Sequence, residues 1–459
     1  MSKLLWTSQE AAKATAGRAI GDWAVSGLSI DSRSIQAGEM FVPLKDTRDG
    51  HDFIGGARAN GASAIMSEHQ TEAAPALVVT NAMQALTDLA VASRIRSKAK
   101  RIGVTGSVAK TSVKEALAHM FEGFGATHKS IKSYNNHWGV PLTLANMPAE
   151  TEYGVFEMGM THAGELTQLS DIVRPDVAII TTVAPAHLAH FENVEAIAQA
   201  KAEIMQGLVP GGLLILNADN EYTPQIMAQA KDNEIQCSTF GQSEISDVKV
   251  MSSELRADGS LIHLKIGKTD VSVNLPIPGE HWVINVAACM ATAQACELDL
   301  HKAAKAFESF GAVAGRGEIH ALTIDGKSVT LIDDSYNANP TSMAAAISVL
   351  AAQKGRKIAV LGDMFELGKD ELAMHAELSK PLEAGNVSRV IVTGECMRAL
   401  RGSLPLPMRG AWTANWKAAL EALIMEIETE DVILVKGSNG VGLSHLVSAM
   451  KAKGRLHAL

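Results

Sequence analysis

The run RIGVTGSVAKTSVKEAL, residues 101–117, is the part of the sequence best suited to chemistry. An apolar strand leads into Gly106, Ser107, Val108 and Ala109, and Lys110, Thr111 and Ser112 then open a helix. Val113, Leu117, Met120 and Phe121 fall on one face of that helix. Phosphate binding requires this strand, turn and helix. Backbone N–H groups and the helix N-terminus point at phosphate oxygens, Lys110 reaches the β and γ oxygens, and Thr111 ligates Mg²⁺. The plain alternative is a strand–helix turn capped by Ser or Thr, and the complete context weighs against it. Ala109 stands where such loops normally carry Gly. Alanine keeps its N–H donor, so at negative φ the expected penalty is on the order of 1 kcal/mol in nucleotide affinity; at positive φ it brings strain.

Other residues could complete such a site. Glu157 ends the strand YGVFEM, at the carboxyl edge where open α/β sheets bind ligands, and Mg²⁺ prefers oxygen ligands. Taken alone, it serves equally well in a buried ion pair. His187 and His190 follow DVAIITT, and without cysteine partners they do not make a zinc site. Asn285 and Asp334 lie on a helix and at a strand end, and Arg316 lies in a Gly-rich linker. Each has an alternative in capping or a linker ion pair. Asn135 and Asn136, in YNN, offer amide donors and acceptors or simply form a turn.

These side chains need elements to hold them. Residues 1–97 alternate short apolar runs (VSGLSIDS, EMFVPL, ASAIMSE, ALVVT) with Gly-rich turns and helical patterns at 52–60 and 82–93, which implies a small mixed α/β domain. KAKR, at 98–101, reads as a polar linker closing it. Within 98–313, RIGVT, YGVFEM, DVAIITT and GGLLILN are strands separated by helices at 163–172 and 194–208, which implies a parallel sheet covered on both faces. DVKVMSSEL, LIHLKIG and VSVNL alternate and predict an antiparallel edge before helices at 281–297 and 300–308. After GAVAGRGE the rhythm restarts over 314–459, with strands SVTLIDD, RKIAVLGD, RVIVTG and DVILVKG and helices at 341–353, 370–384, 415–427 and 441–451. The expectation is an α/β chain of three domains: a small mixed one, a central P-loop ATPase-type one and a C-terminal Rossmann-like one.

Composition agrees. At 459 residues the chain is three times the usual domain length of about 150 residues, and 47% hydrophobic content supplies real cores. A net charge of −9 argues against nucleic acid as a partner, since phosphate backbones demand a basic face. No apolar run approaches the roughly 18 residues of a membrane span, and MSKLLWTSQE lacks the apolar core of a signal peptide. Four dispersed cysteines without a CxxC pair fit a reducing cytoplasm.

The short spacing GxxAKT resembles the TGxxGKT loop of the Mur ligases, ATP-dependent amide-bond ligases of peptidoglycan synthesis. SIDSRSIQAGEMFVPLKDTRDGHDF resembles their UDP-sugar-binding domain, and KSYNNHWGVPLTL the segment that meets substrate. VFEMGM, APAHLAHF and AIAQAKAEI resemble their metal and carbamate motifs, and GEHWVINVAACMA and GRGE their hinge region. These blocks run in family order over most of the chain. The resemblance implies ATP and Mg²⁺ in the central domain, with Thr111, Glu157, His187 and a carbamate on Lys201 as metal ligands. Without the family, Lys201 would be a solvated surface lysine. A free ammonium beside Mg²⁺ would repel it, whereas a carbamate supplies an anionic oxygen.

By the same resemblance, Arg316 approaches the γ-phosphate, Asp334 accepts from ribose hydroxyls, and Asn285 meets adenine or metal-bound water. Tyr336, Asn337 and Asn339 line the nucleotide. In the first domain, Ser32, Arg33 and Lys45 suit a diphosphate, and Asp49, Gly50 and His51 form a turn that could read uracil. A surface Asp31–Arg33 pair and a DGH turn are the plain alternatives. DDSYNANPTSM, LGDMFELG and VKGSNG imply joining of D-alanyl-D-alanine to a UDP-N-acetylmuramoyl-tripeptide through an acyl phosphate, by a cytoplasmic monomer. No DNPR-like motif points to the neighbouring diaminopimelate-adding enzyme. Folylpolyglutamate synthetase lacks the UDP-type first domain. A nucleotide-dependent switch protein without ligase activity has only Ala109 as its hint. Whether the tripeptide ends in diaminopimelate or lysine stays open.

Overall fold

The computed structural model describes residues 4–186 and 188–457. Its three main sheets follow one another along the chain. The first has five strands, in the order Arg18–Ile20, Ala76–Val78, Ala64–Ser67, Glu39–Phe41, Gly27–Ser29, and only its Arg18–Ile20 edge runs antiparallel.

The second sheet has nine strands. At its heart Lys100–Thr105 lies between Val177–Ile180 and Tyr153–Glu157, all parallel. The chain leaves Lys100–Thr105 toward Thr127–Lys129 at one edge, returns to Tyr153–Glu157, and then crosses to Val177–Ile180 on the other side. This reversal opens a crevice at the strands' carboxyl ends, where open α/β sheets bind ligands. Further out come Leu213–Asn217, Gln236–Gly241 and Val248–Leu255, then the antiparallel Ser260–Ile266 and Thr269–Leu275. The expected antiparallel edge is present, with Val248–Leu255 parallel to its inner neighbour.

The third sheet has seven strands, in the order Arg409–Thr413, Arg389–Thr393, Lys357–Gly362, Asp431–Lys436, Lys327–Asp333, Glu318–Ile324, Arg455–His457. The first five are parallel, and the last two join antiparallel.

Several local features differ from the sequence reading. KAKR is not wholly a linker, because Lys100 and Arg101 pair with Tyr153 and Gly154 inside the sheet. The expected helix at 370–384 is two, Glu371–Glu377 and Ser379–Ala384. Pro381 explains the break, since it has no N–H to bond the carbonyl of Glu377. Thr127–Lys129, Gln236–Gly241, Glu318–Ile324 and Arg409–Thr413 are strands that polar or edge composition concealed.

One face of the first sheet carries small clusters of its own, around Ile35, Phe41, Ala57 and Ile65 and around Ile20, Ala76 and Val78, while its other face shares a core with the second sheet. Trp6, Leu28, Met40 and Leu86 belong to one apolar cluster with Val140, Phe156, Leu166 and Ile204 from the second. Polar contacts across the junction reinforce it. The Trp6 indole donates to the Ala145 carbonyl at 2.9 Å, Ser93 Oγ to Met147 O at 2.8 Å, and the Asn146 amide brackets the Leu28 backbone. Residues 4–97 and the second sheet therefore share one face, while the third sheet packs its own clusters, with Ile332, Ile347 and Leu361 on one side and Leu331, Val360 and Leu446 on the other.

Candidate functional site

The phosphate-loop candidate turns directly out of Lys100–Thr105 into the helix Lys110–Glu122. Gly106 has φ +153°, and a Cβ there would lie 1.9 Å from Thr181 Oγ1. That hydroxyl donates to Val108 O at 2.6 Å and lies 3.2 Å from Thr105 O, so the loop is clamped to the neighbouring strand's end. Ser107 Oγ donates to Ala184 O and accepts from its N–H, which commits this side chain to the same clamp. Ala109 is the residue before the helix, at φ +66° and ψ −1°. The strained branch of the expectation is the one observed. Its carbonyl still accepts the first helical bond, from Val113 N at 2.8 Å. Lys110 donates to Gly106 O at 2.6 Å. Burial and the adjacent Arg316 push its ammonium below the usual lysine value, against the pull of Glu157.

Thr111 and Ser112 are buried in the first helical turn. Thr111 Oγ1 donates to Glu157 Oε2 at 2.8 Å, and Ser133 Oγ lies 3.1 Å from the same hydroxyl. Asn135 Nδ2 donates to Glu157 Oε1 at 2.7 Å. Glu157 is 1% exposed, so a charge there is shielded from water. A carboxylate and two hydroxyls converging at a parallel-sheet switch point form a hard-oxygen donor set, the chemistry Mg²⁺ selects. Asn136 is directed elsewhere: its Oδ1 accepts from Gly139 N, starting the helix Gly139–Ala145.

Lys201 lies on Val194–Ala202, a helix capped by Asn193. It is 2% exposed, not a surface lysine. Burial, helped by the Lys110 charge, holds its amine well below the ordinary lysine range. Two residues on, Glu203 accepts from Gly164 N at 2.7 Å and Thr167 N at 3.4 Å, at the start of the helix Glu165–Val173. This contact fixes the rotation of the Lys201 segment. His187 lies outside the described residues.

The linker brings the third sheet onto this cluster. Arg316 Nη2 donates to Thr111 Oγ1 at 2.8 Å and lies 3.4 Å from Ser133 Oγ, with its guanidinium 4.3 Å above the Tyr336 ring. Asp334 Oδ2 pairs with Lys436 Nζ at 2.8 Å, and burial nevertheless raises its carboxyl. Lys436 also donates to Asn337 O. Asn337 Oδ1 accepts from Ala338 N, and Asn339 caps the helix Pro340–Ala351. Asn285 is buried on Glu280–Ala295, and its Nδ2 has no hydrogen-bond partner among the described residues. Such an orphaned amide is costly unless a ligand satisfies it.

The first-domain candidates form a separate cluster. Lys45 pairs with Glu68 at 2.5 Å, and Asp49 Oδ1 contacts His51 Nδ1 at 2.7 Å. His51 Nε2 accepts from Glu68 N at 3.1 Å. Gly50 sits so tightly that a Cβ would lie 2.5 Å from Leu44 O. Arg33 is bidentate to Asp31, whose carboxyl it lowers to about 2. Ser32 contributes its carbonyl, which accepts from Asn60 Nδ2.

Sequence reasoning passed over Ser133, Lys436 and His281, the last lowered to about 4 by burial and by Lys436. Ser133 lies inside the quoted KSYNNHWGVPLTL segment and Lys436 inside VKGSNG, so the signal was their place within those motifs. Among the described residues, no helix is long and apolar enough to cross a membrane.

Three family models match the chain in order: "Mur ligase family, catalytic domain" over 24–119, "Mur ligase middle domain" over 104–293, and "Mur ligase, glutamate ligase domain" over 315–439. The UDP-N-acetylmuramoyl-tripeptide–D-alanyl-D-alanine ligase of Escherichia coli strain K12 is 32% identical over 437 residues, covering 94% of this chain and 95% of that protein. A MurF crystal structure from Acinetobacter baumannii superposes with a TM-score of 0.85 at 30% identity, covering 98% of this chain and 99% of its own. The MurF ligase of Thermotoga maritima in complex with ADP has a TM-score of 0.77 at 24% identity, covering 93% and 97%, and shows likeness of fold.

Proposed function

The chain belongs to the Mur ligase family, and we propose that it joins D-alanyl-D-alanine to a UDP-N-acetylmuramoyl-tripeptide, with ATP converted to ADP and phosphate. The observation that carries this reading is the contact of Arg316, from the linker, with Thr111 of the phosphate loop beside Glu157. It supports a role for this cation at the centre where phosphoryl transfer would occur.

The tripeptide's terminal carboxylate oxygen attacks the γ-phosphorus and ADP leaves, giving an acyl phosphate. The dipeptide's amine nitrogen then attacks the acyl carbon through a tetrahedral intermediate. Phosphate departs and the nitrogen gives up a proton. Lys110 and Arg316 stabilise the charge that develops on the transferred group and hold it in line, the usual protein contribution to phosphoryl transfer.

Thr111 and Glu157 would hold Mg²⁺, with His187 completing the set, and the ion would neutralise phosphate charge. Lys201 fits a carbamate. Its amine is buried and disfavours protonation, which leaves the nitrogen lone pair free for CO₂. The carbamate would supply an anionic oxygen where an ammonium would repel the metal.

Asn285, Asp334, Tyr336, Asn337 and Asn339 accompany the nucleotide. Ser32, Arg33, Lys45, Asp49, Gly50, His51, Asn135 and Asn136 meet the UDP-sugar-peptide. Residues 1–97 take the UDP end, 98–313 ATP and 314–459 the dipeptide, in the cytoplasm where these precursors occur.

The test is phosphate release with UDP-muramoyl-tripeptide, with and without D-alanyl-D-alanine. Dipeptide-dependent turnover is expected. Absence of turnover, or comparable rates with a free diamino acid on UDP-muramoyl-dipeptide, overturns the assignment.

A further inference from the structure

We infer that Lys114 is a positioning residue for this same reaction, holding segment 130–135 against Thr111 and Glu157; the inference rests on the function proposed above. Lys114 lies one helical turn beyond Lys110 and has no exposed surface. Lysine is among the residues least often fully buried, and one is retained only where its ammonium is paired. Here Nζ donates to Ser130 O at 2.9 Å and to Lys132 O at 2.5 Å, and it pairs with Glu115 Oε1 at 2.7 Å. Glu157 Oε2 lies 3.9 Å away.

The two carbonyls identify what the ammonium does. Segment 130–135 links the strand Thr127–Lys129 to the stretch before the helix Gly139–Ala145 and has no ladder of its own. Lys132 sits at φ +51°, so the chain is bent back at that point. From this short segment come Ser130 Oγ, which accepts from Glu157 N, Ser133 Oγ beside Thr111, and Asn135 Nδ2 on Glu157. Lys114 thus ties the loop that surrounds the candidate metal carboxylate to the helix that carries the phosphate-loop lysine. It touches no group that would react. A merely structural ion pair would need only Glu115, not two loop carbonyls.

The test is Lys114→Met, which keeps the chain length and removes the donors, compared with wild type in the same ligation assay. The half-saturating Mg²⁺ concentration and the KM for UDP-muramoyl-tripeptide are expected to rise tenfold or more. The KM for D-alanyl-D-alanine, bound to the third unit, should stay within twofold. A variant that melts lower but keeps all three values, measured where it is folded, overturns the inference. Lys114→Gln, with one remaining donor amide, carries the same test if the methionine variant does not fold. Failure of both to fold would assign Lys114 to the core and also overturn it. A wild type without dipeptide-dependent turnover would instead sink the proposed function.

Discussion

The two small residues of the phosphate loop should respond oppositely to exchange. Gly106→Ala places a methyl 1.9 Å from Thr181 Oγ1 at a φ of +153° that L-residues rarely adopt. Backbone strain of this kind costs on the order of 1–3 kcal/mol. Displacing Thr181 also threatens the bond its one hydroxyl hydrogen makes to Val108 O, worth about 0.5–1.5 kcal/mol. Together these put Gly106→Ala at roughly 1.5–4.5 kcal/mol, concentrated in the loop proposed to present its N–H groups to phosphate. Ala109→Gly works the other way. It relieves about 1–2 kcal/mol of left-handed strain at φ +66°. It loses part of one methyl contact, under ~0.8 kcal/mol, and adds roughly 0.4–1 kcal/mol of unfolded-chain entropy. The net change should lie within about 1 kcal/mol of zero. ATP titrations followed by calorimetry, with thermal unfolding alongside, measure both effects. Gly106→Ala should lose ATP binding, while Ala109→Gly should stay within about fivefold of wild type. Wild-type affinity in Gly106→Ala would refute the clamp. A wild type that binds no ATP until Ala109 becomes Gly would show that the observed strain disables the loop.

Three further outcomes follow from the site. Lys201→Ala should be nearly inactive and partly rescued by short-chain carboxylic acids; full activity without additive would return Lys201 to a plain core role. In CO₂-free buffer, Lys201→Met should melt higher than wild type. The folded amine sits below 10.5, so the unfolded chain binds the proton first and wild-type stability rises with pH toward 10.5. Removing the amine abolishes that penalty; a gain of 1 kcal/mol would shift melting by about 1–2 °C in a cooperative unit of this size, and a lower melting point contradicts the reasoning. Arg316→Lys keeps the charge but loses the planar guanidinium that sets Nη2 on Thr111 and lies over the Tyr336 ring. Its kcat should fall at least about tenfold, in the range of a lost charge-stabilising contact, and unchanged kcat would remove Arg316 from the transition state.

Local signals carried much of this structure. The phosphate loop was legible because strand, turn and helix are contiguous and each has its own periodicity. The position of Glu157 at the carboxyl edge was legible because a strand's last residue in a parallel sheet has a known place, whereas its role as a metal ligand was implied only by the family resemblance. The strands that escaped notice, Thr127–Lys129 and Gln236–Gly241, carry too few apolar residues to alternate visibly, and their pairing is decided by neighbours far along the chain. The shared core was hidden for the same reason. Trp6 and Ala145 meet across 139 residues, and nothing near either one announces it.

Lys114 shows where such reading stops. In TSVKEAL it occupies a helical position that composition assigns to solvent. Its burial comes from segment 130–132 folding over it, and that segment folds over because Lys114 offers donors for its carbonyls. Cause and effect are reciprocal and non-local, so neither half is visible alone. Arg316 follows the same logic on a larger scale. Its spacing from the phosphate loop is 205 residues, and it reaches Thr111 only because the linker 310–316 turns back between the second and third sheets. A motif can thus identify the loop that binds phosphate, while the groups that tune that loop arrive through folds the motif does not encode. The hinge arginine on Thr111 makes the geometry of the phosphate site depend on how the third unit sits. On the function proposed, a shift of the third unit would carry Arg316 off Thr111, so closure and assembly of the charge-stabilising set would be one event.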